Sequence, residues 1–255
     1  MAEGSESARA GAFVDPRARL ALDVSLAPGA VIHEGVVIGR GSSVGSAAVI
    51  HAGTEIGARC VIEDGAVVGK PPRLRAGSRG AGDELSALTV ADDVTICACA
   101  VIYTGARIGA GVIVGDQAQV RERTVIGAGS VVGRGSAIEF DTILGERVLI
   151  QSDVYVTARS VVEDDVFIGP GVTTTNDDTM GRHPRGSGLA GPTFRRACRV
   201  GGGAVLVPGV VIGEEAFVAA GSVVTRDVGV REVVMGVPAR VVRQVSDEDL
   251  IERWR

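Results

Sequence analysis

Aromatic residues make up only 3% of this 255-residue chain, so its core cannot rest on the broad rings that supply most buried area in ordinary globular domains. No run of 18 apolar residues exists, which excludes a membrane-spanning helix as a reading of the sequence. The four cysteines, Cys60, Cys97, Cys99 and Cys198, include no CxxC pair. They read as reduced thiols at small-residue positions of a cytoplasmic protein. There is no basic stripe, and the net charge is −5 with acids and bases interspersed. Nucleic acid and anionic membrane are thereby excluded as expected partners. Histidine is equally scarce, at three residues. Glycine (37 residues), valine and isoleucine are what the chain has in abundance, a composition of many short strands and tight turns.

The apolar residues keep a six-residue beat. Positions Leu26, Ile32, Ile38, Val44, Ile50, Ile56, Ile62 and Val68 form one run. A second passes from Val90 through Ile96, Ile102 and every sixth residue to Ile168 without a miss, and a third from Val200 to Val224. A helix or a heptad cannot carry this period. One short strand plus a bend can, and three such units wind once round a triangular prism whose coils bury each other's aliphatic residues. The 27 units predict about nine coils. Residues 1–19 read as a disordered or irregular leader, 20–245 as the solenoid, and 246–255 as a C-terminal helix capped by Ser246. Two Gly/Pro/Arg-rich interruptions, 70–89 and 174–199, should leave the prism as loops, and long loops in a compact repeat are usually functional.

The repeat turns spacing into geometry, because residues 18 apart lie one coil above another. Below Asn176 this places Ala158, Phe140 and Glu122; below Asp177 it places Arg159, Asp141 and Arg123. The second column alternates in charge and ends where the second loop begins. It reads either as a register-keeping ladder contributing about 0–1 kcal/mol per pair, or as the wall of a polar cleft, and both can hold. Glu139 and Arg121 occupy the neighbouring column. His33 and His51 also stack, with glycine at the next rung and no third ligand, so a metal site is not expected.

This six-residue pattern resembles the hexapeptide-repeat acyltransferases. The resemblance implies a left-handed parallel β-helix, a homotrimer with active sites between subunits, and acetyl-coenzyme A as co-substrate. The stretch PGVVIGEEAFVAAGSVVTRDV followed by VVMGVPARVV is similar to the coenzyme A end of that family. It implies Gly202, Ala220, Thr225 and Arg226 along the donor groove, with Arg240 near phosphate. Small residues permit close backbone approach and arginine suits phosphate.

The stretch VLIQSDVYVTARSVVEDDVFIGPGVTTTND is similar to coils of nucleotide-linked amino-sugar N-acetyltransferases. There an asparagine at the place of Asn176 meets the acceptor amine, helped by a glutamate one coil earlier; here that place holds Ala158. In the sugar O-acetyltransferases of this fold a histidine stands where Asn176 does. A hydroxyl needs such a base. An amine with a pKa near 8 is already partly neutral and needs orientation more, which tilts the site toward N-acylation. Asp177 is then a candidate to hold the ammonium or accept its proton.

His183, seven residues on, is a candidate base on the loop, flanked by Arg182 and Arg185 as anion binders. Glu139, Asp141 and Arg159 line the expected acceptor cleft. No cysteine or serine has the neighbours of an activated nucleophile, which favours direct attack on the thioester without an acyl-enzyme. The expected function is thus a coenzyme A-dependent acyltransferase acting on an amino group of a sugar nucleotide or similar small metabolite. The alternatives are an O-acetyltransferase with His183 as base, a metal-dependent lyase of carbonic-anhydrase type, and a non-catalytic β-helix binding protein.

Overall fold

The computed structural model describes residues 11–74, 84–182 and 188–253. Its strands are mostly two residues long, the first facing out and the second in. Inward positions such as Ile32, Ile50, Ile102, Ile138 and Ile168 have no exposure. Each contributes about 1.5–3 kcal/mol by leaving water, and their steady spacing is what makes the beat visible in sequence. The strands stack into three parallel sheets, the faces of a triangular prism. Face I runs from Phe13–Val14 to Val223–Val224 with eleven strands, and face II from Arg19–Leu20 to Val211–Ile212 with ten. Face III starts at Ser25–Leu26 and has twelve, the last being Arg240–Gln244, which turns back antiparallel on Glu232–Met235.

Four expectations change. The sheets hold more coils than the nine given by the aliphatic count. Residues 13–20 already form the first strands of faces I and II rather than an irregular leader. The second excursion is shorter than 174–199, because Thr193–Phe194 and Arg199–Val200 are back in the sheets. Phe194, the largest fully buried side chain, takes an inward aliphatic place opposite Val162. The C-terminal segment forms two 3₁₀ turns, Asp247–Asp249 and Ile251–Arg253, instead of one helix. Ser246 does not cap a backbone N–H there; its Oγ donates to Asp249 Oδ2 at 2.7 Å. No helix among the described residues is long and apolar enough to cross a membrane.

Corners repeat one chemistry. Buried serines and threonines join coils: Ser130 Oγ donates to Gly145 O (2.9 Å) and accepts from Val148 N (2.9 Å). Thr54 breaks the series, its buried Oγ1 having no partner among the described residues. Above it the Val67–Lys70 strand bulges at Gly69, where the first loop departs. Gly69 has φ +79°, and a Cβ there would stand 2.0 Å from Thr54 Oγ1. Gly69→Ala is therefore expected to cost about 2–3 kcal/mol through a left-handed backbone and a forced shift. The shift in denaturant midpoint measures it. Adding Thr54→Ala, which removes the obstructing hydroxyl, should recover part of the loss.

Candidate active site

Both excursions leave from the same prism edge. Lys70 ends a face I strand and Thr89 opens a face II strand; Thr174 and Thr193 do the same higher up. The described ends of the first loop dock on this I/II edge. Thr104 N–H donates to Lys70 O (3.1 Å) and Thr104 Oγ1 to Ser86 O (2.9 Å). In ascending order one column of this edge holds His33, His51, Lys70, Tyr103, Arg121, Glu139, Thr157 and Thr175. The 34-residue step across the first loop hides that alignment in the sequence.

At the top, Asn176 is half-buried and tied into the edge. Its Nδ2 donates to Ala158 O one coil below (3.1 Å), and its carbonyl accepts from Ala190 N (3.0 Å). Among the described residues the side-chain amide oxygen has no hydrogen-bond donor. Asp177 also holds the chain that follows it. Its carboxylate accepts from Thr179 N (2.9 Å), Thr179 Oγ1 (2.6 Å) and Gly181 N (3.0 Å), so it shapes the loop turn. Arg182 is exposed, its N–H donating to Thr179 O (3.1 Å). His183 and Arg185 lie outside the described residues.

The charge ladder forms. Arg123 Nε meets Asp141 Oδ1 at 2.5 Å, and Arg159 lies 3.8 Å from the other Asp141 oxygen. Similar pairs hold other edges, such as Arg59–Asp93 at 2.6 Å and Arg134–Asp153 at 3.3 Å, so register-keeping is part of its role. Behind the ladder lies a denser group. Glu122 is fully buried and both its oxygens accept from Arg121, at 2.8 and 3.0 Å. Arg121 Nη1 also reaches Glu139 at 3.3 Å. The guanidinium sits 5.2 Å from the Tyr103 ring centre and 5.8 Å from that of Phe140. Gln119 Nε2 donates to the Tyr103 hydroxyl at 3.2 Å. Burial, then the Glu122 charge, push the Glu139 carboxyl above the ordinary carboxylate range. Burial, then Glu139, raise the Tyr155 phenol.

The residues expected along a donor groove divide between edges. Thr225 and Arg226 are exposed on edge I/II, two coils above Thr175 and Asn176. Gly202 and the exposed Ala220 lie on edge III/I, between faces III and I, and are stacked on each other. Arg240 is exposed on the returning strand. Within one chain, then, Asn176 and Gly202 stand on different corners of the triangle.

Two clusters fall outside the expected cleft. His33 and His51 stack with ring centres 5.5 Å apart. Burial, then His33 and Lys70, lower the His51 pKa. On edge III/I, Glu63, Cys97 and Asp116 bring ligand atoms within 4.8 Å of one another. Both carboxylates there accept the Ala98 N–H, at 2.9 and 3.1 Å. Sequence spacing could not group these three, because the first loop separates Glu63 from Cys97.

The chain matches the family described as the hexapeptide repeat of succinyl-transferase over residues 35–70 and 197–226. It is 44% identical over 50 residues to the galactoside O-acetyltransferase of Escherichia coli, covering 20% of this chain and 25% of that protein. It is 49% identical over 49 residues to a 2,3,4,5-tetrahydropyridine-2,6-dicarboxylate N-acetyltransferase of Enterococcus faecalis, covering 19% and 21%. The matched stretches thus span about a quarter or less of these relatives. A UDP-N-acetylglucosamine acyltransferase structure from Bacteroides fragilis superposes with a TM-score of 0.58 at 19% identity, over 92% of this chain and 73% of that one; that likeness concerns the fold. Repeat, prism and family match define a hexapeptide-repeat solenoid. Over the matched segments the chain is similar to the hexapeptide-repeat β-helix acyltransferases.

Proposed function

We propose that the protein is a coenzyme A-dependent acyltransferase, with acetyl as the acyl group and an amino group of a sugar nucleotide or similar small metabolite as acceptor. The observation that carries it is the side chain of Asn176, anchored through Nδ2 with its oxygen left to orient an amine. The matched O- and N-acetyltransferases support acetyl transfer in general; the asparagine favours nitrogen. The neutral amine attacks the thioester carbonyl, the C–N bond forms as the C–S bond breaks, and the nitrogen's proton passes to the departing thiolate. Proximity supplies most of the acceleration. Asp177, held by its own turn, fixes the loop that carries Arg182.

The division of residues between edges calls for a second copy, and the outward faces supply a way to bring it. Face II exposes Val125, Ile143 and Val161 on successive coils. Face III exposes Val61, Ile113, Leu149 and Phe217, with a hollow of about 410 Å³ lined by Leu149, Phe167, Val200, Phe217 and Ile251. In a three-fold ring, face II of one copy would pack on face III of the next. Edge I/II of the first, with Asn176, would then meet edge III/I of the second, with Gly202 and Ala220. Calorimetric titration with acetyl-coenzyme A should give saturable binding, and amine acceptors should release free thiol faster than hydroxyl acceptors. Absence of donor binding overturns the reading; preference for hydroxyls moves it to O-acylation with His183 as base.

A further inference from the structure

Edge I/II carries a charge cluster in which two carboxylates share one arginine. Other corners pair an arginine with an aspartate one coil on, as in Arg59–Asp93 and Arg134–Asp153, and on edge II/III the buried Asp165 meets Arg147. Here Glu122 is fully buried and the Arg121 and Glu139 side chains are largely so. Withdrawing such charges from water costs several kcal/mol per ion, where an exposed pair would have kept register. Buried carboxylates displaced from their ordinary range, as Glu139 is, concentrate at functional sites.

The geometry also divides the two carboxylates. One guanidinium serves both, but its two shorter contacts go to Glu122, and Glu139 receives a single one at 3.3 Å. The guanidinium lies 5.2 Å from the Tyr103 ring centre and 5.8 Å from that of Phe140. Lys70 Nζ lies 5.3 Å from the same Tyr103 ring, three rungs below Glu139 in the column. The exposed Tyr155 is close enough to Glu139 for the two to interact electrostatically. Glu139 thus has one long guanidinium contact and the Phe140 backbone N–H as partners, two coils below the Thr175–Asn176 rung.

We propose that Glu139 is a specificity-determining residue that receives a second, protonated amino group of the acceptor, which is therefore a diamine with nitrogens about 10 Å apart, two coil spacings. Phosphate or carboxylate at this place would meet Glu139 and Glu122 with like charge. A hydroxyl would leave the surplus charge standing. An ammonium ion neutralises it and gains a cation–π contact with Tyr155. The inference rests on the reading of Asn176 as the place of the reacting amine.

The test is calorimetric and needs no acyl transfer. Heptamethylenediamine, whose extended chain spans two coil spacings, is compared with heptylamine on the full chain. Wild-type protein should bind the diamine at least about tenfold more tightly, as expected for one charge-assisted hydrogen bond. Glu139→Gln, which keeps size and removes charge, should abolish that preference with an unchanged thermal midpoint. The preference should also fade as pH drops through the raised pKa of Glu139, which protonates while the facing Arg121 stays charged. Glu122 and the Tyr155 phenol are the other titratable groups that face it, so Glu139→Gln must flatten this limb. Equal binding of the two amines by wild type, or a preference retained in Glu139→Gln, overturns the proposal. If Glu139→Gln does not fold, the wild-type comparison decides alone. The acetyl-coenzyme A titration fails or succeeds independently of this result, so the two readings fall separately.

Discussion

Asn176→Ala lowers turnover with an amine acceptor about a hundredfold and leaves acetyl-coenzyme A affinity unchanged. The magnitude follows from what the side chain can do. An amide is no base at neutral pH, so its loss removes orientation of the nucleophile, and misplacement by about an ångström is worth roughly that factor. The site is built for such a role. Nδ2 is pinned to Ala158 O and the backbone carbonyl to Ala190 N, so the amide plane cannot turn freely. The truncation exposes Ala158 O on a half-buried edge, where water can replace the lost donor, and the thermal midpoint should hardly move. Steady-state kinetics with a parallel donor titration make the measurement. A fall in donor affinity equal to the fall in turnover would place Asn176 in the donor groove instead, and full activity would remove it from the site.

The prism was legible because the solenoid imposes one environment on every sixth residue, and a buried two-residue strand tolerates little but Val, Ile or Leu. Where the environment tolerates something else, the beat misleads. Phe194 fills an inward place with a ring, and an aliphatic template therefore starts the last run one strand late. The first coils are missed for a related reason. Phe13 and Arg19 face outward there, with Val14 and Leu20 only partly covered, so the pattern is weak in the first described coil.

The ladder of Arg123, Asp141 and Arg159 follows directly from 18-residue steps, and the structure pairs them. Columns that cross a loop do not follow. Lys70 joins His51 and Tyr103 only after a bulge and a 34-residue step, and Glu63 joins Cys97 in the same way. Chemistry assembled across an excursion is invisible to a fixed period. Nor does spacing reveal commitment. Asp177 sits at the predicted place, and its oxygens also hold Thr179 and Gly181, contacts that depend on the loop's path rather than on the repeat.

Mixing two inactive variants should restore activity if the site is shared between copies. Asn176→Ala disables edge I/II. Ala220→Trp, at an exposed corner position, fills the groove on edge III/I. Each variant alone should be nearly inactive for a different reason, the first with donor binding intact and the second without it. A site composed of edge I/II from one copy and edge III/I from the next is whole when an Ala220→Trp copy is followed by an Asn176→Ala copy. Random assembly at equal amounts makes about a quarter of the sites whole, so unfolding and refolding the variants together should return about a quarter of wild-type turnover. A site confined to one chain predicts none, because every chain then carries a defect. Ile143→Asp on the mixed sample sharpens the test. The charge lies on the outward row of face II, where solvent accepts it in a monomer and the packed ring does not. Light scattering should show the ring dissociating with the strand content of the monomer preserved, and the recovered turnover should vanish with it. Recovery that persists with Ile143→Asp would show that the copies complete the site through a surface other than face II.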